Sequence, residues 1–452
     1  MMTPAKAFDQ YIDLCGQFGA PGASPLLQEI NGLGRSMLAE AAKAYRPDPA
    51  EIDTLRPDAM FATDYGINLM RVGMPVDPAA TFRCGVPNLG SLLAIVANDS
   101  FHPTEALLRN MPEGLTVCSL NKVPAGLQHV ASQVMRETLE GGGVAEALNA
   151  AFLADGVFIH AAAGVKVDKV IQIVNISAPT VPMLSLRRVV IVAEEGASLR
   201  VLLCDHSQTA ATPHLNSQLV SVRVAENAAV ELYDIEEDTP ATNRHWTLDA
   251  RQQSHSSLTV NSTCLHGGLS ANRYNINVEG DYAETSLSGL AICGGEQTAA
   301  NTVTLTHSGK HCTSRQLFKN ALFDNSRGGF GGKIIVRPGA MFTDAEQTNR
   351  NLLADDNARM TAAPQLEIYC DEVKCSHGAT TGQLDERALF YMQTRGIPAA
   401  EARTMLTQAF MVDVIDNISF EVLRQRIHVL VEKRLTGAAA SCDTCATACH
   451  TS

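Results

Sequence analysis

Three stretches decide the fold: GVFIHAAAGVKVDKVIQI (156–173), VVIVAEEGASLRVLL (189–203) and VSVRVAENAAVELYDI (220–235). Each is a run of Val, Ile and Leu alternating with polar residues, then a small turn, then a second such run. That alternation has the period of two expected of strands with one buried face. The turns recur: Gly196 stands 32 residues after Gly164 (196 − 164), and Ala228 stands 32 after Gly196 (228 − 196). The plan returns in KIIVRPGAMFTDAEQ (333–347) and NLLADDNARMTAAPQLEIY (351–369), although the spacing after Tyr233 is irregular. One such unit cannot bury both of its faces. Stacked units bury a continuous column, which is the logic of a β-solenoid. A two-layer β-sandwich is the alternative that pattern alone leaves open.

Helical text flanks this strand zone. LLQEINGLGRSMLAEAAKAY (26–45) and LQHVASQVMRETL (127–139) carry apolar residues at helical spacing, among Pro- and Gly-bearing loops. Beyond the strands, Asp385 reads as an N-cap and Gly396 as a stop. Pro398 suits a first helical turn, and Ser419 suits a cap before SFEVLRQRIHVLVEKRL. The middle of these three helices carries an apolar stripe of Leu406, Phe410, Met411, Val414 and Ile415. The expected division is an N-terminal helical region (1–147), a strand core (148–384), a C-terminal helical module (385–436) and a Cys-rich flexible tail (437–452).

Composition excludes several function classes. The chain has 452 residues, of which 45% are hydrophobic and 18% charged, enough to build a large core and too few charges for a disordered protein. A net charge of −13 argues against nucleic acid as the main partner. The expected absence of an export signal and of any apolar run near the roughly 18 residues of a membrane span points to a cytoplasmic protein. A single Trp and eight Tyr give little stacking surface for bases or sugars.

Candidate chemistry concentrates at the C-terminal end. GGFGGKIIV (328–336) lacks the Gly-Lys-Ser/Thr of a phosphate loop and is followed by strand text, so its glycines are expected to shape a bend or bulge. His160, His206, His214 and the other strand-zone histidines read as structural. Cys375 and His377 are two apart, so on a strand they share a face and can ligate a soft or borderline metal or pass sulfur, with Lys374 favouring the thiolate, although chemistry alone favours a purely structural pair. Two ligands cannot close a tetrahedral site, so a second chain is needed to complete it. Cys442, Cys445, Cys449 and His450 amount to four ligands in the tail, set against a reduced, unstructured tail as the other reading.

GGKIIVRPGAMFTDAEQTNRNLLADDNARMTAAPQLEIYCDEVKCSHGATTGQLDERALFYMQTRGI resembles the signature region of the SufB/SufD family of iron–sulfur cluster assembly scaffolds. The match is close over 331–435 and looser over GVFIHAAAGVKVDKVIQI and PEGLTVCSL. It is most like SufD: the segment before PQLE lacks the Cys typical of SufB, and KCSHGATTGQ stands where SufB carries a His-Glu-Ala-Thr run. The primary sulfur-accepting Cys is thus not expected here.

The resemblance implies a mainly β fold, a right-handed parallel β-helix flanked by N- and C-terminal helical regions. It implies pairing with a SufB-like subunit through the solenoid end, where His377 and then Cys375 are the candidate ligands of a transient iron–sulfur cluster. It implies docking of a SufC-like ABC ATPase on the helical module, with Phe390, Leu406, Phe410, Met411 and Val414 as candidate contacts. Reduced flavin belongs to the assembled complex, and a homodimer is a possible state of the isolated chain. The chain is then a scaffold and not an enzyme. The competing classes are a β-helix carbohydrate-active enzyme, which needs clustered carboxylates and aromatic platforms, and a stand-alone metal or redox protein using the tail.

Overall fold

A computed structural model describes residues 4–17, 23–44, 60–61, 63, 65–67, 90–207 and 212–437. At its centre two ten-stranded sheets face each other. From Val157–Ala161 and Ile171–Ser177 onward, successive strands alternate between the sheets, and each pairs in parallel with the strand one coil earlier. The result is a parallel β-solenoid of about seven turns, not a sandwich. Inward residues of both sheets meet in one core: Val189, Val220, Leu248 and Val303 from one, Val201, Leu232, Val260 and Leu287 from the other. All are almost fully buried, and each such side chain contributes roughly 1.5–3 kcal/mol of burial.

One corner of the coil explains both the repeat and its decay. A residue with left-handed backbone stands there in every turn: Gly164, Gly196, Asn227, His255, Tyr282, His311 and Phe342, with φ between 56° and 74°. Each donates its backbone N–H to a carbonyl one coil later, as in Gly164 to Glu195 (2.8 Å) and His311 to Met341 (2.9 Å). The third member is Asn227, one residue before Ala228. Later intervals shrink to 28, 27, 29 and 31 residues (255 − 227, 282 − 255, 311 − 282, 342 − 311), which is the irregularity seen after Tyr233. From His255 onward the corner side chains stack. His255–Tyr282, Tyr282–His311 and His311–Phe342 have ring centroids 5.1, 4.8 and 4.6 Å apart, and they form a ladder down the solenoid's flank.

The N-terminal region contributes helices α1 (Pro4–Gln17), α2 (Pro25–Ala44), α3 (Glu105–Asn110), α4 (Gln128–Glu140) and α5 (Val144–Phe152). Helices α2 and α4 are those expected over 26–45 and 127–139, and α5 crosses the 147/148 boundary. The same region also holds strands that the helical reading missed. Leu92–Ala97 pairs in parallel with Ile171–Ser177, and Leu115–Ser119 pairs antiparallel with Val157–Ala161. Both are short and stand between helical segments, so neither leaves a sustained periodicity. The helices cover the outer face of one sheet through Phe158, Val190, Leu184, Leu186 and Leu215.

Of the C-terminal helices α6 (Glu386–Thr394), α7 (Ala399–Asp416) and α8 (Glu421–Thr436), α7 and α8 cover the outer face of the other sheet, whereas α6 buries no residue. Asp385 caps α6 by accepting from the Arg387 N–H (2.9 Å), and Gly396 takes φ +87° where the chain turns. Ser419 does not cap α8. The helix starts one residue later, with Phe420 at the N-cap position, and the Ser419 hydroxyl instead donates to Glu231 of the solenoid (2.6 Å), a carboxylate also held by Arg200 (2.8 Å) and Tyr233 (2.6 Å).

The glycines of 328–336 make no bend or bulge. Arg327–Val336 is a regular strand with unbroken register on both sides. They create room: a Cβ on Gly328 would stand 2.5 Å from the Met360 sulfur, and one on Gly332 2.4 Å from the Gln347 carboxamide.

Candidate functional site

The last five strands build the candidate site: β1 (Thr313–Leu322), β2 (Arg327–Val336), β3 (Asp344–Leu353), β4 (Arg359–Ile368) and β5 (Lys374–Gly382). β4 pairs with β2 and β5 with β3, and among the described residues nothing pairs with their outer edges. Neither strand contains a fully buried residue, whereas β3 buries five of its ten. The solenoid thus ends in two unpaired parallel edges over an open core, the kind of edge that recruits another chain.

Cys375 and His377 stand on β5 at this end and do share a face. In the parallel ladder Cys375 lies over Ala345, and His377 lies over Gln347, which in turn lies over Gln316. Ala345 and Gln347 point into the core, so both candidate ligands continue core columns to the mouth. His377 is exposed. Cys375 is half-buried and packs against Ile334, Val336, Ala340 and Ala345. Burial pushes its thiol up, and Asp344 adds to the effect against a hydrogen bond from the backbone of Ala345. Lys374 does not favour the thiolate: its ammonium is 86% exposed and lies 3.7 Å from Asp344. Its surroundings thus favour the thiol over the thiolate.

Two neighbours escaped the sequence reading. Cys370 packs into the same apolar cluster as Cys375. Gln347, fully buried, supplies the polar floor beneath His377. Cys370, five residues before Cys375, is a sequence neighbour not singled out, whereas Gln347 carries no spacing signal and only the coil geometry brings it to the mouth.

The helical-module candidates separate by burial. Met411 and Val414 are fully buried, and Phe410 is half-buried against the same solenoid face, because the module spends this stripe on intramolecular packing. Met411 and Val414 are not available to a partner. Leu406 is partly exposed, and Phe390 is 68% exposed beside Tyr391 at 58%. Phe390 lines a groove of about 380 Å³ with Leu353, Leu384, Leu389 and Arg403. Cys442, Cys445, Cys449 and His450 lie outside the described residues. Among the described residues no three His, Cys, Asp or Glu side chains gather as a metal site, and no helix is long and apolar enough to cross a membrane.

Comparison with known proteins accounts for this geometry. Residues 175–410 match the family model described as "SUF system FeS cluster assembly, SufBD core domain", and residues 54–173 match the SufBD protein N-terminal region. An iron–sulfur cluster assembly SufBD family protein of Synechocystis sp. is 26% identical over 79% of this chain and 81% of its own length. The iron–sulfur cluster assembly protein SufD of Escherichia coli is 30% identical over 50% of this chain and 53% of its own length, and SufD of Bacillus subtilis is 26% identical over 64% and 66%. The core match alone spans more than half of the chain, so this chain, a solenoid with an open end, belongs to the SufBD family of iron–sulfur cluster assembly proteins.

Proposed function

We propose that this chain is a SufD-like scaffold subunit that pairs with a SufB-like subunit and docks a SufC-like ATPase. The observation that carries the reading is the solenoid end: two unpaired parallel edges framing Cys375 and His377 on one face. A partner presenting its own edge satisfies those backbone groups and brings further ligands. Cys375 and His377 are two ligands of a site that needs about four, so the nascent cluster is cargo held between the chains. Thiolate and sulfide suit iron, and one neutral imidazole among them lowers the cluster's hold and favours its release.

ATP hydrolysis belongs to the SufC-like partner. The groove at Phe390 and the surface near Leu406 supply apolar area for that partner. Because α7 and α8 are packed on the solenoid, a force applied to the module is passed to the strands. ATP-driven association of two SufC-like subunits thereby shears the SufB–SufD interface and opens the mouth to iron and sulfur. Reduced flavin is assigned to the assembled complex. Alone, the chain uses the same edge to pair with a second copy, and the setting is the cytoplasm.

Native mass spectrometry of the chain co-expressed with the SufB- and SufC-like proteins of its own organism tests this. The expected complex has one SufB-like, one of this chain and two SufC-like subunits. Failure to associate overturns the reading. Within that complex His377→Ala abolishes cluster formation, and an unchanged yield removes His377 from the site.

A further inference from the structure

The column beneath His377 has an unmet acceptor. Gln347 is fully buried, and its Nε2 donates to Gln316 Oε1 at 2.8 Å. Its Oε1 is buried and accepts from nothing. With the nitrogen engaged by the preceding coil, the oxygen is the amide atom left for a donor from elsewhere. The residue at that register on the following coil is His377. Parallel strands lie about 4.8 Å apart, within reach of an imidazole over a carboxamide. Gly332 fixes this arrangement from the side, since a Cβ there would stand 2.4 Å from both amide atoms. The neighbouring inward amides differ: Asn351 Oδ1 accepts from Asn320 and Asn349 Oδ1 from Asn351, both at 2.7 Å. Gln347 alone among these three has an oxygen without a donor, and Gln316 Nε2 in the same column is a buried donor without an acceptor.

We propose that Gln347 is a positioning residue for His377: its Oε1 accepts one imidazole N–H, which fixes the tautomer and turns the other nitrogen's lone pair out of the solenoid toward iron-containing cargo. A buried carbonyl oxygen left unmade is costly, and an exposed ring pays little to rotate onto it. An imidazole held on one nitrogen is pre-oriented and more basic at the other, the arrangement that supports metal-bound histidines elsewhere. This inference rests on the reading of His377 as a ligand and adds the residue that aims it.

The test uses the full chain with ¹⁵N-labelled histidine at about pH 8, above the ordinary imidazole range. Nitrogen–proton correlation spectra, assigned with His377→Ala, are expected to show one His377 ring N–H protected from solvent exchange. Gln347→Leu loses that protection, and Gln347→Glu, which retains an acceptor, keeps it. Gly332→Ala, which displaces the carboxamide without touching His377, loses it too and serves where Gln347→Leu fails to fold. No protected N–H in the parent, or the same protection in Gln347→Leu and Gly332→Ala, overturns the proposal. In the assembled complex Gln347→Leu lowers cluster loading about 10- to 100-fold, and Gln347→Glu restores it. If the spectra behave as expected while His377→Ala loads clusters normally, the ligand reading has failed and the hydrogen bond stands.

Discussion

Asp249 is the position where a single substitution is expected to stabilise this protein. Its side chain lies on the outer face of a solenoid strand, 5% exposed, near Arg188 and Arg251. Burial pushes its carboxyl up to about 6; the two arginines oppose the rise, and Glu137 and Glu146 add to it. A folded-state value above the ordinary 3.8 means that folding favours the protonated acid. The associated stability is complete below about pH 4 and is lost as pH rises through about 6. A shift of roughly two units at 1.36 kcal/mol per unit makes the loss about 3 kcal/mol at neutral pH. Asp249→Asn stays neutral at every pH and escapes that loss. With an unfolding entropy of about 2.1 cal/mol/K per residue over 452 residues, 3 kcal/mol corresponds to roughly 3 °C if the chain melts as one unit. Scanning calorimetry is expected to place the variant's Tm about 3 °C above the parent's near pH 8, with the curves converging near pH 4. A difference that does not change with pH, or a lower Tm for the variant near pH 8, refutes the argument.

Other positions give predictions of different kinds. Glu146 is the mirror case: burial raises its carboxyl, but Arg273 at 3.8 Å and the Gly143 N–H at 2.7 Å outweigh it and hold the group at about 2, so its stabilisation is lost only as pH falls from about 4.5 through 2. Glu146→Gln should therefore lower Tm at pH 7 and converge with the parent only in strong acid. Lys319, nearly buried, donates to Phe410 O (2.7 Å) and Asp413 Oδ2 (2.6 Å), so Lys319→Met should loosen α7 by about 1–3 kcal/mol, read as faster hydrogen exchange across Ala399–Asp416. His311→Val places a β-branched residue at φ 56° and removes two ring stacks; denaturant unfolding should show a loss of about 1–3 kcal/mol, whereas His311→Gly should lose less. A chain ending at Gly437 should keep the parent's metal content if the tail thiols are reduced, and a fall in bound metal would assign Cys442, Cys445, Cys449 and His450 as ligands.

The corner column shows what a repeat can and cannot write into sequence. Its requirement is a backbone one, a left-handed residue whose N–H meets the next coil. Gly164 and Gly196 meet it in the least costly way, so the first coils are legible as a period of 32. From Asn227 onward the same requirement is met by Asn, His, Tyr, His and Phe, which tolerate positive φ at a cost, and the four rings recover part of it by stacking. The geometry is kept while the letters change and the coil shortens, so the signal fades where the fold does not. The same logic divides the site. Cys375 and His377 are visible because two residues apart on a strand is a local relation. Gln347 is 30 residues from His377 (377 − 347), and only the stacking of one coil on another makes them neighbours. Ser419 stands one residue short of the actual N-cap, Phe420, and its bonds to Glu231 and Tyr233, more than 180 residues away, are likewise invisible along the chain. In a solenoid every column runs across coils, so a reading along the chain finds the strand that bears the candidate ligands but not the stack beneath them.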